Sequence, residues 1–304
     1  MCGTLEKMID EADANYEVTL HTVMRRARVK VSERTVSNAL HSPGYRFRKL
    51  RSKMILTPDD VKQRFAWATE HKGKSAEWFK KNIHIHLDNH HFKAATTVRG
   101  RRILAKRRVR GVYRTKGKSL RSGHVKPDPK LRVQTGSKGV LKMGGVGSGQ
   151  VLVWHTIRGA WSGAQAASAY ADVAAPALKK AHPQKRKFAV LEDNDPTGNR
   201  SKLAIAAKQA HNIRVFSIPK RSPDLNVLDY AISPEVEKRM RQQERKMSTG
   251  KRETLAQFEQ RLDRTAASLS PAFVDRAIGN LHTRCQKLYE AKGGLFEEGG
   301  ARRQ

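Results

Sequence analysis

Three aspartates in this sequence have the surroundings that metal-dependent chemistry needs. Asp88 closes the alternating run Ile83-His84-Ile85-His86-Leu87, Asp193 follows the apolar run Phe188-Ala189-Val190-Leu191, and Asp229 begins a helical pattern just after Ser222-Pro223-Asp224-Leu225-Asn226. Carboxylates are hard oxygen ligands, so three of them brought together suit Mg2+ or Mn2+. Two such ions about 4 Å apart stabilise the attacking and leaving oxygens of an in-line phosphoryl displacement. Glu192 and Asp195 flank Asp193; strand alternation turns both elsewhere, where either could assist. Asp is also an ordinary turn and cap residue, and Asp224 is read that way, ordering its loop and capping the following helix.

Two other constellations carry less. His84, His86 and Asp88 share one strand face and His90 and His91 follow, an arrangement that can bind zinc or iron. No second histidine-rich segment supplies further ligands, so polar lining of a cleft is the preferred reading. The segment from Gly111 to Ser119 has five residues between its glycines where a phosphate-binding loop needs four, and no apolar strand precedes it.

The elements that must position the acids follow from periodicity. Period-two alternation over 83–88 predicts a strand ending at Asp88, and Gly139–Lys142 and Val151–Ile157, joined by GGVGSGQ, predict a hairpin. An alanine-rich helix over 164–180, the strand 188–191, a helix over 199–210 and the strand 213–216 come next. Helices started at Ser233-Pro234-Glu235 and Ser270-Pro271 then run to about 292. Three strands, a helix, a strand, a helix, a strand and more helices is the order of a ribonuclease-H-like α/β (α+β) domain, a mixed sheet flanked by helices. In that fold the first strand pairs with the strand after the first helix, which brings Asp88 and Asp193 together and leaves a later helix to supply Asp229.

Ahead of this domain, Ser32 caps a helix with Val36, Ala39 and Leu40 on its apolar side, the second half of a small all-α helix-turn-helix region. Arg34, Thr35, Ser37 and Asn38 point outward toward DNA, and Arg46, Arg48, Lys49, Arg51 and Lys53 form a basic tail suited to phosphates. Thr57-Pro58-Asp59-Asp60 starts a linker helix with the stripe Val61, Phe65 and Ala68. The expected organisation is a partial DNA-binding region over 1–54, a linker helix over 55–80, the catalytic domain over 81–245 and C-terminal helices with a frayed tail over 246–304. Residues 97–142 form a basic insertion, with about 16 Lys and Arg against Asp128 alone. Arg101, Arg102, Lys106, Arg107, Arg108 and Arg110 are its candidate nucleic-acid contacts, because so much like charge repels itself unless an anion lies across it.

Composition agrees. The 304 residues carry 61 Lys and Arg against 28 Asp and Glu, a formal charge of +33. A polyanionic partner explains that excess better than solubility does. A ribosome-type RNA binder or an anionic membrane surface would also fit the charge, but no amphipathic basic helix dominates and no apolar run approaches the ~18 residues of a membrane span. Cys2 and Cys285 lie at opposite ends with no paired spacing, which fits a reducing compartment. The acidic start MCGTLEKMIDEADANYE lacks the apolar segment of a secretory signal, so the protein is expected inside the cell.

The residues also resemble a known family. Leu191-Glu192-Asp193-Asn194-Asp195-Pro196 looks like the signature of the mariner superfamily of DNA transposases, in which a strand ends in Asp-Asn followed by proline. Ser222 to Tyr230 resembles the companion Ser-Pro-Asp-Leu block, Ile85 to Asp88 the first catalytic strand, and Ser32 to Leu40 the second helix-turn-helix. The resemblance covers about residues 17 to 245. It implies strand cleavage and transfer at the ends of a mobile element, with Asp88, Asp193 and Asp229 holding two Mg2+ (or Mn2+) ions. Double-stranded DNA ends and target are the implied partners, with a homodimer bridging two ends and no small-molecule cofactor. Two related readings stay open: a DNA-binding protein derived from a transposase without turnover, and a nuclease or integrase of the same fold. The chain departs from the pattern twice. Only about sixteen residues precede the helix-turn-helix segment where relatives have a complete first reader, and Gly198 stands where many relatives have histidine. Charge, Lys106-Arg107-Arg108 and family habit place the protein in the nucleus of a eukaryotic host, or the cytoplasm and nucleoid of a bacterial one.

Overall fold

The computed structural model describes residues 3, 5–7, 20–49, 51–53, 56–94, 111–115, 125–127, 139–247 and 253–296. In chain order its elements are α1 (Leu20–Arg26), α2 (Glu33–His41), β1 (Arg46–Lys49), β2 (Arg51–Lys53), α3 (Pro58–His71), α4 (Ala76–Asn82), β3 (Ile85–Lys93), β4 (Gly111–Arg114) and β5 (Val125–Pro127). They continue with β6 (Gly139–Gly147), β7 (Gln150–Ile157), α5 (Gly163–Ser168), α6 (Ala175–Ala181), β8 (Phe188–Glu192), α7 (Lys202–Ala210), β9 (Ile213–Ser217), α8 (Ser233–Lys246), α9 (Leu255–Ala267) and α10 (Pro271–Glu290). Two wide π-type turns interrupt the helices, Ala169–Ala174 between α5 and α6 and Leu228–Ile232 ahead of α8.

The described residues fall into two compact units. One is drawn from Met1–Ile55, Lys106–Val133 and Leu295–Gln304, the other from Leu56–Ala105 and Gln134–Gly294. In the first, the Ser32 hydroxyl accepts from the Thr35 amide and starts α2, satisfying one of the donors a helix start leaves unpaired. Val36 and Leu40 then bury completely with Leu5, Tyr45 and Tyr113. The expected basic tail is instead two short strands. β1 pairs antiparallel with β4, Arg46 opposite Arg114, and β2 pairs parallel with β5, Arg51 opposite Val125. The middle of the basic insertion therefore folds with the N-terminal region rather than with the sheet domain into which it is inserted. Unpaired strand edges seek partners, and no local pattern announces which edge they find.

The second unit is built on a five-stranded sheet in the order β7-β6-β3-β8-β9. Strands β7, β6 and β3 run antiparallel, and β8 and β9 run parallel to β3. This is the ribonuclease-H-like arrangement. All five residues of β8 are buried, as a central parallel strand covered on both faces requires. The β6–β7 hairpin closes on Ser148 and Gly149, both at positive φ (50° and 70°), the turn that matches strand twist. Side chains alternate across β3: Ile85 and Leu87 join Phe188, Val190 and Tyr170 on one face, while Phe92 joins Leu228, Ile232, Phe258 and Ile278 on the other. By the same alternation His86, Asp88 and His90 look toward the side carrying α8, α9 and α10. The C-terminal helices thus complete this unit's core rather than standing apart.

α3 begins with a reciprocal capping box between Thr57 and Asp60, and Pro58 occupies its first position. Its buried residues are Asp60, Arg64, Trp67, Ala68 and His71. The expected stripe holds at Ala68 and in part at Val61 but not at Phe65, which is exposed while Arg64 is wholly enclosed. Polar partners explain the difference: Arg64 meets Asp224, Arg221 meets Asp60 at 2.9 Å, and the Trp67 indole donates to the Ser217 carbonyl at 3.1 Å.

Candidate active site

Asp88 does not end its strand; β3 continues to Lys93 because β6 stays paired with it as far as Lys93 opposite Gly139. What ends near Asp88 is the other neighbour. The β3–β8 ladder stops with His86 opposite Leu191. Asp88 lies two residues past His86 and Asp193 two past Leu191, so one register carries both acids to the same level, where β8 has given way to a loop. Asp229 arrives within the wide turn that precedes α8. Asn226, almost fully buried, ties that segment in place: its side-chain amide donates to the Leu87 carbonyl at 3.4 Å and its oxygen accepts from the Leu228 amide at 3.1 Å.

The three acids share one electrostatic field, with Asp88 and Asp229 close enough to act directly on each other. Desolvation, then the charges of Asp229 and Asp193, push the Asp88 carboxyl well above the usual carboxylate range. Desolvation lifts Asp229 to about 6, against the pull of His90. Neighbouring carboxylates disfavour each other's charge, an effect that a cation between them would relieve. Asp193 is raised chiefly by desolvation although its residue keeps an open side; its Oδ1 accepts from the Asn199 side chain at 2.9 Å and from the Asp195 amide at 3.3 Å. Among the described residues no group of three or more His, Cys, Asp or Glu is drawn in tightly enough to hold a metal ion as it stands. The donor set nonetheless fits a hard divalent cation: three carboxylates whose mutual repulsion a cation would relieve.

The flanking acids do turn away. Glu192 is buried against Lys208 and the Tyr170 hydroxyl. Asp195 accepts from the Trp161 indole at 3.0 Å and from the Gly198 amide at 2.9 Å. The glycine at 198 has a physical reason: a Cβ there would lie 1.9 Å from the Trp161 indole nitrogen. Asn194, the second residue of the Asp-Asn pair, donates to the Ile218 carbonyl and anchors the loop to the end of β9. Asp224 orders its loop through Arg64, as its position in Ser-Pro-Asp-Leu suggests, although it caps no helix. The histidines differ from the expected polar lining. His86 is fully buried with neither ring nitrogen hydrogen-bonded, and burial lowers it to about 3. His84 is buried and accepts from the Ala189 amide at 2.7 Å, while His90 meets Glu237 at 3.3 Å. Asn199, Asn226, Tyr170 and Lys208 escaped the sequence reading; one of the four, Asn226, lies within the quoted motifs, and the other three carry no local signal.

The candidate DNA contacts divide. Arg34 and Asn38 are exposed on α2 and Ser37 is half-buried near His41. Thr35 is exposed but engaged with the Ser32 hydroxyl at 2.8 Å, so it serves the cap. Arg46 donates to the His41 and Tyr45 carbonyls at 2.7 and 2.9 Å, closing the end of α2. Arg48 lies in β1, and Arg51 and Lys53 in β2. Arg101, Arg102, Lys106, Arg107, Arg108 and Arg110 lie outside the described residues.

Comparison with known proteins follows the same division. Residues 6–73, the helix-turn-helix segment together with α3, match a Tc3-type helix-turn-helix family model described as "Transposase". No curated protein matches. Among solved structures, the Mos1 transposase paired-end complex with left transposon end is similar over 98% of this chain and 80% of that one, at 19% identity and a TM-score of 0.64. The Mos1 strand transfer complex is similar over 98% and 79%, at 19% identity and a TM-score of 0.61. The Mos1 catalytic domain with Raltegravir and Mg is similar over 80% of this chain and all of that one, at 15% identity and a TM-score of 0.55. The N-terminal segment therefore carries a Tc3-type transposase helix-turn-helix, and the chain as a whole has the fold of the mariner transposase Mos1.

Proposed function

We propose that this protein is a DNA transposase that cleaves and joins strands at the ends of a mobile element by metal-dependent phosphoryl transfer. The observation that carries the reading is the juxtaposition of Asp88, Asp193 and Asp229, carboxyls whose charges act on one another, inside a chain of formal charge +33. A cluster of acids whose charges oppose one another costs stability and has no structural use that neutral side chains would not serve better. Asp88, Asp193 and Asp229 would hold the divalent ions, Mg2+ or Mn2+, whose charge offsets that developing on the reacting phosphate. The chain's own part is positional. β3 fixes Asp88, the loop after β8 fixes Asp193, and Asn226 holds the Asp229 turn against β3. Attack by water and attack by a liberated 3′-hydroxyl are the same in-line displacement, so one set of carboxylates serves both cleavage and transfer.

DNA is the proposed partner: α2 offers Arg34 and Asn38, and the basic insertion offers charge. Mos1 forms a paired-end complex with left transposon end, and by analogy a dimer bridging two ends belongs to the proposal. The test is Mg2+-dependent nicking of DNA by wild type and by Asp193→Asn. The variant should lose activity by about a thousand-fold or more. Equal activity in both, or none in either across a broad range of DNA ends, would overturn the proposal.

A further inference from the structure

Beneath the Asp193 loop lies a buried polar network that the reaction as proposed does not use. Glu192 and Lys208 form an ion pair with side chains 1% and 4% exposed, and the Tyr170 hydroxyl donates to the second Glu192 oxygen. Burying two charges and a phenol costs free energy, and replacing such a pair with apolar groups is often neutral or stabilising. Its geometry therefore needs a reason other than stability. The network converges on one residue. Lys208 donates to the Asn199 carbonyl at 2.8 Å, Tyr170 reaches the Asn199 side-chain oxygen at 3.4 Å, and the Asn199 side-chain nitrogen donates to Asp193 Oδ1 at 2.9 Å.

Two features sharpen the assignment. Tyr170 sits in the wide turn Ala169–Ala174, a local departure from regular helix of the kind that often re-aims a functional side chain. The loop itself is stitched by backbone bonds, Arg200 to Asp195 at 3.0 Å and Ser201 to Gly198 at 3.1 Å, so Asn199 is held from both its main chain and its amide. With Oδ1 engaged by Asn199 and the Asp195 amide, Oδ2 is the oxygen that remains for a cation.

Resting on the proposed metal-dependent reading, we infer that Asn199, braced by Glu192, Lys208 and Tyr170, is a positioning residue that orients the Asp193 carboxylate for metal. Hydrogen-bond partners of ligating carboxylates fix their orientation, and removing one typically costs 10–100-fold in metal affinity. Asn199 touches no reacting atom; it acts through Asp193.

The test is Mn2+ binding to the full chain, followed by the loss of the free-ion electron paramagnetic resonance signal, alongside the Mg2+ dependence of nicking. Asn199→Ala should weaken Mn2+ binding about 10–100-fold. Nicking by that variant should recover toward the wild-type maximum as Mg2+ is raised, because orientation and not chemistry has been lost. Asn199→Ser keeps a short donor, should fall between, and decides the matter if the alanine variant does not fold. Wild-type Mn2+ affinity in a folded Asn199 variant, or a nicking defect that no Mg2+ concentration restores, overturns the inference and leaves the proposed function standing. Mn2+ binding that is absent in wild type, or unchanged in Asp193→Asn, overturns the metal reading and this inference with it.

Discussion

Asp224 and Asp229 lie on either side of Asn226 in one short segment, yet their carboxyls meet opposite company. Asp224 faces Arg64 in a bidentate pair at 2.8 and 2.6 Å, with Arg284 donating to its carbonyl at 2.8 Å. Asp229 faces Asp88, another acid. The first arrangement is complete: the charge is balanced inside the protein and binds α3 to the loop. The second is incomplete without a proton or a cation. Burial alone thus does not separate the two; what sets Asp229 apart is that its neighbour is another acid, with His90 opposing the effect.

Breaking the complete arrangement should have the larger effect. Asp224→Ala strands the enclosed Arg64 guanidinium, and removing one member of a buried pair costs about 3–5 kcal/mol. Urea unfolding should show that loss, with Arg64→Ala comparable because it strands Asp224 instead. A loss under about 1 kcal/mol would mean that water reaches the pair and that α3 is held by other contacts.

The incomplete arrangement should respond with the opposite sign. Asp229 has a folded-state pKa of about 6, raised from 3.8, so between those values the folded chain binds more protons than the unfolded one. Stability from this group is present below about pH 4 and is lost as pH rises through about 6. In metal-free buffer Asp229→Asn should therefore melt a few degrees higher than wild type at pH 8, with the gap closing toward pH 4. Mg2+ should raise the wild-type melting temperature at pH 8 and leave the variant nearly unchanged. A variant that melts below wild type at pH 8 without metal would show that the acid pair is a stabilising contact, against the comparison drawn above.

The contrast between local and distant determinants also explains what the sequence discloses. The caps at Ser32 and Thr57 and the hairpin before Val151 are written within a few residues of where they act, and they form as the residues imply. The end of β8 before Asp193 is a local signal, whereas Asp88, expected at a strand end, lies within β3, and the Asp88–Asp193 register follows from topology. The exchange of Phe65 for Arg64 on the buried side of α3 is not legible, because Arg64 is enclosed by a partner 160 residues away. Nor is the pairing of the basic insertion with β1 and β2, where neither strand names its partner. Tyr170 and Lys208 look like any residues of an alanine-rich helix and a short amphipathic one; only the fold brings them to Glu192.

Asp195 supplies the middle case. It sits two residues from Asp193 and is balanced neither by a cation nor by another acid, but by neutral donors: the Trp161 indole and the amides of Thr197 and Gly198. Neutral hydrogen bonds orient a carboxylate without cancelling its charge, so losing one should cost about 1 kcal/mol, well below the loss of the Arg64 pair. Trp161→Phe removes that bond and trims the indole edge that lies against Gly198 while keeping an aromatic ring there. Unfolding of Trp161→Phe should fall about 1 kcal/mol below wild type, and Asp195→Asn in the same background should add less than it does alone, since the two share a contact. Fully additive losses would mean that Trp161 holds the loop by covering Gly198, and that the two backbone amides alone set the direction of Asp195.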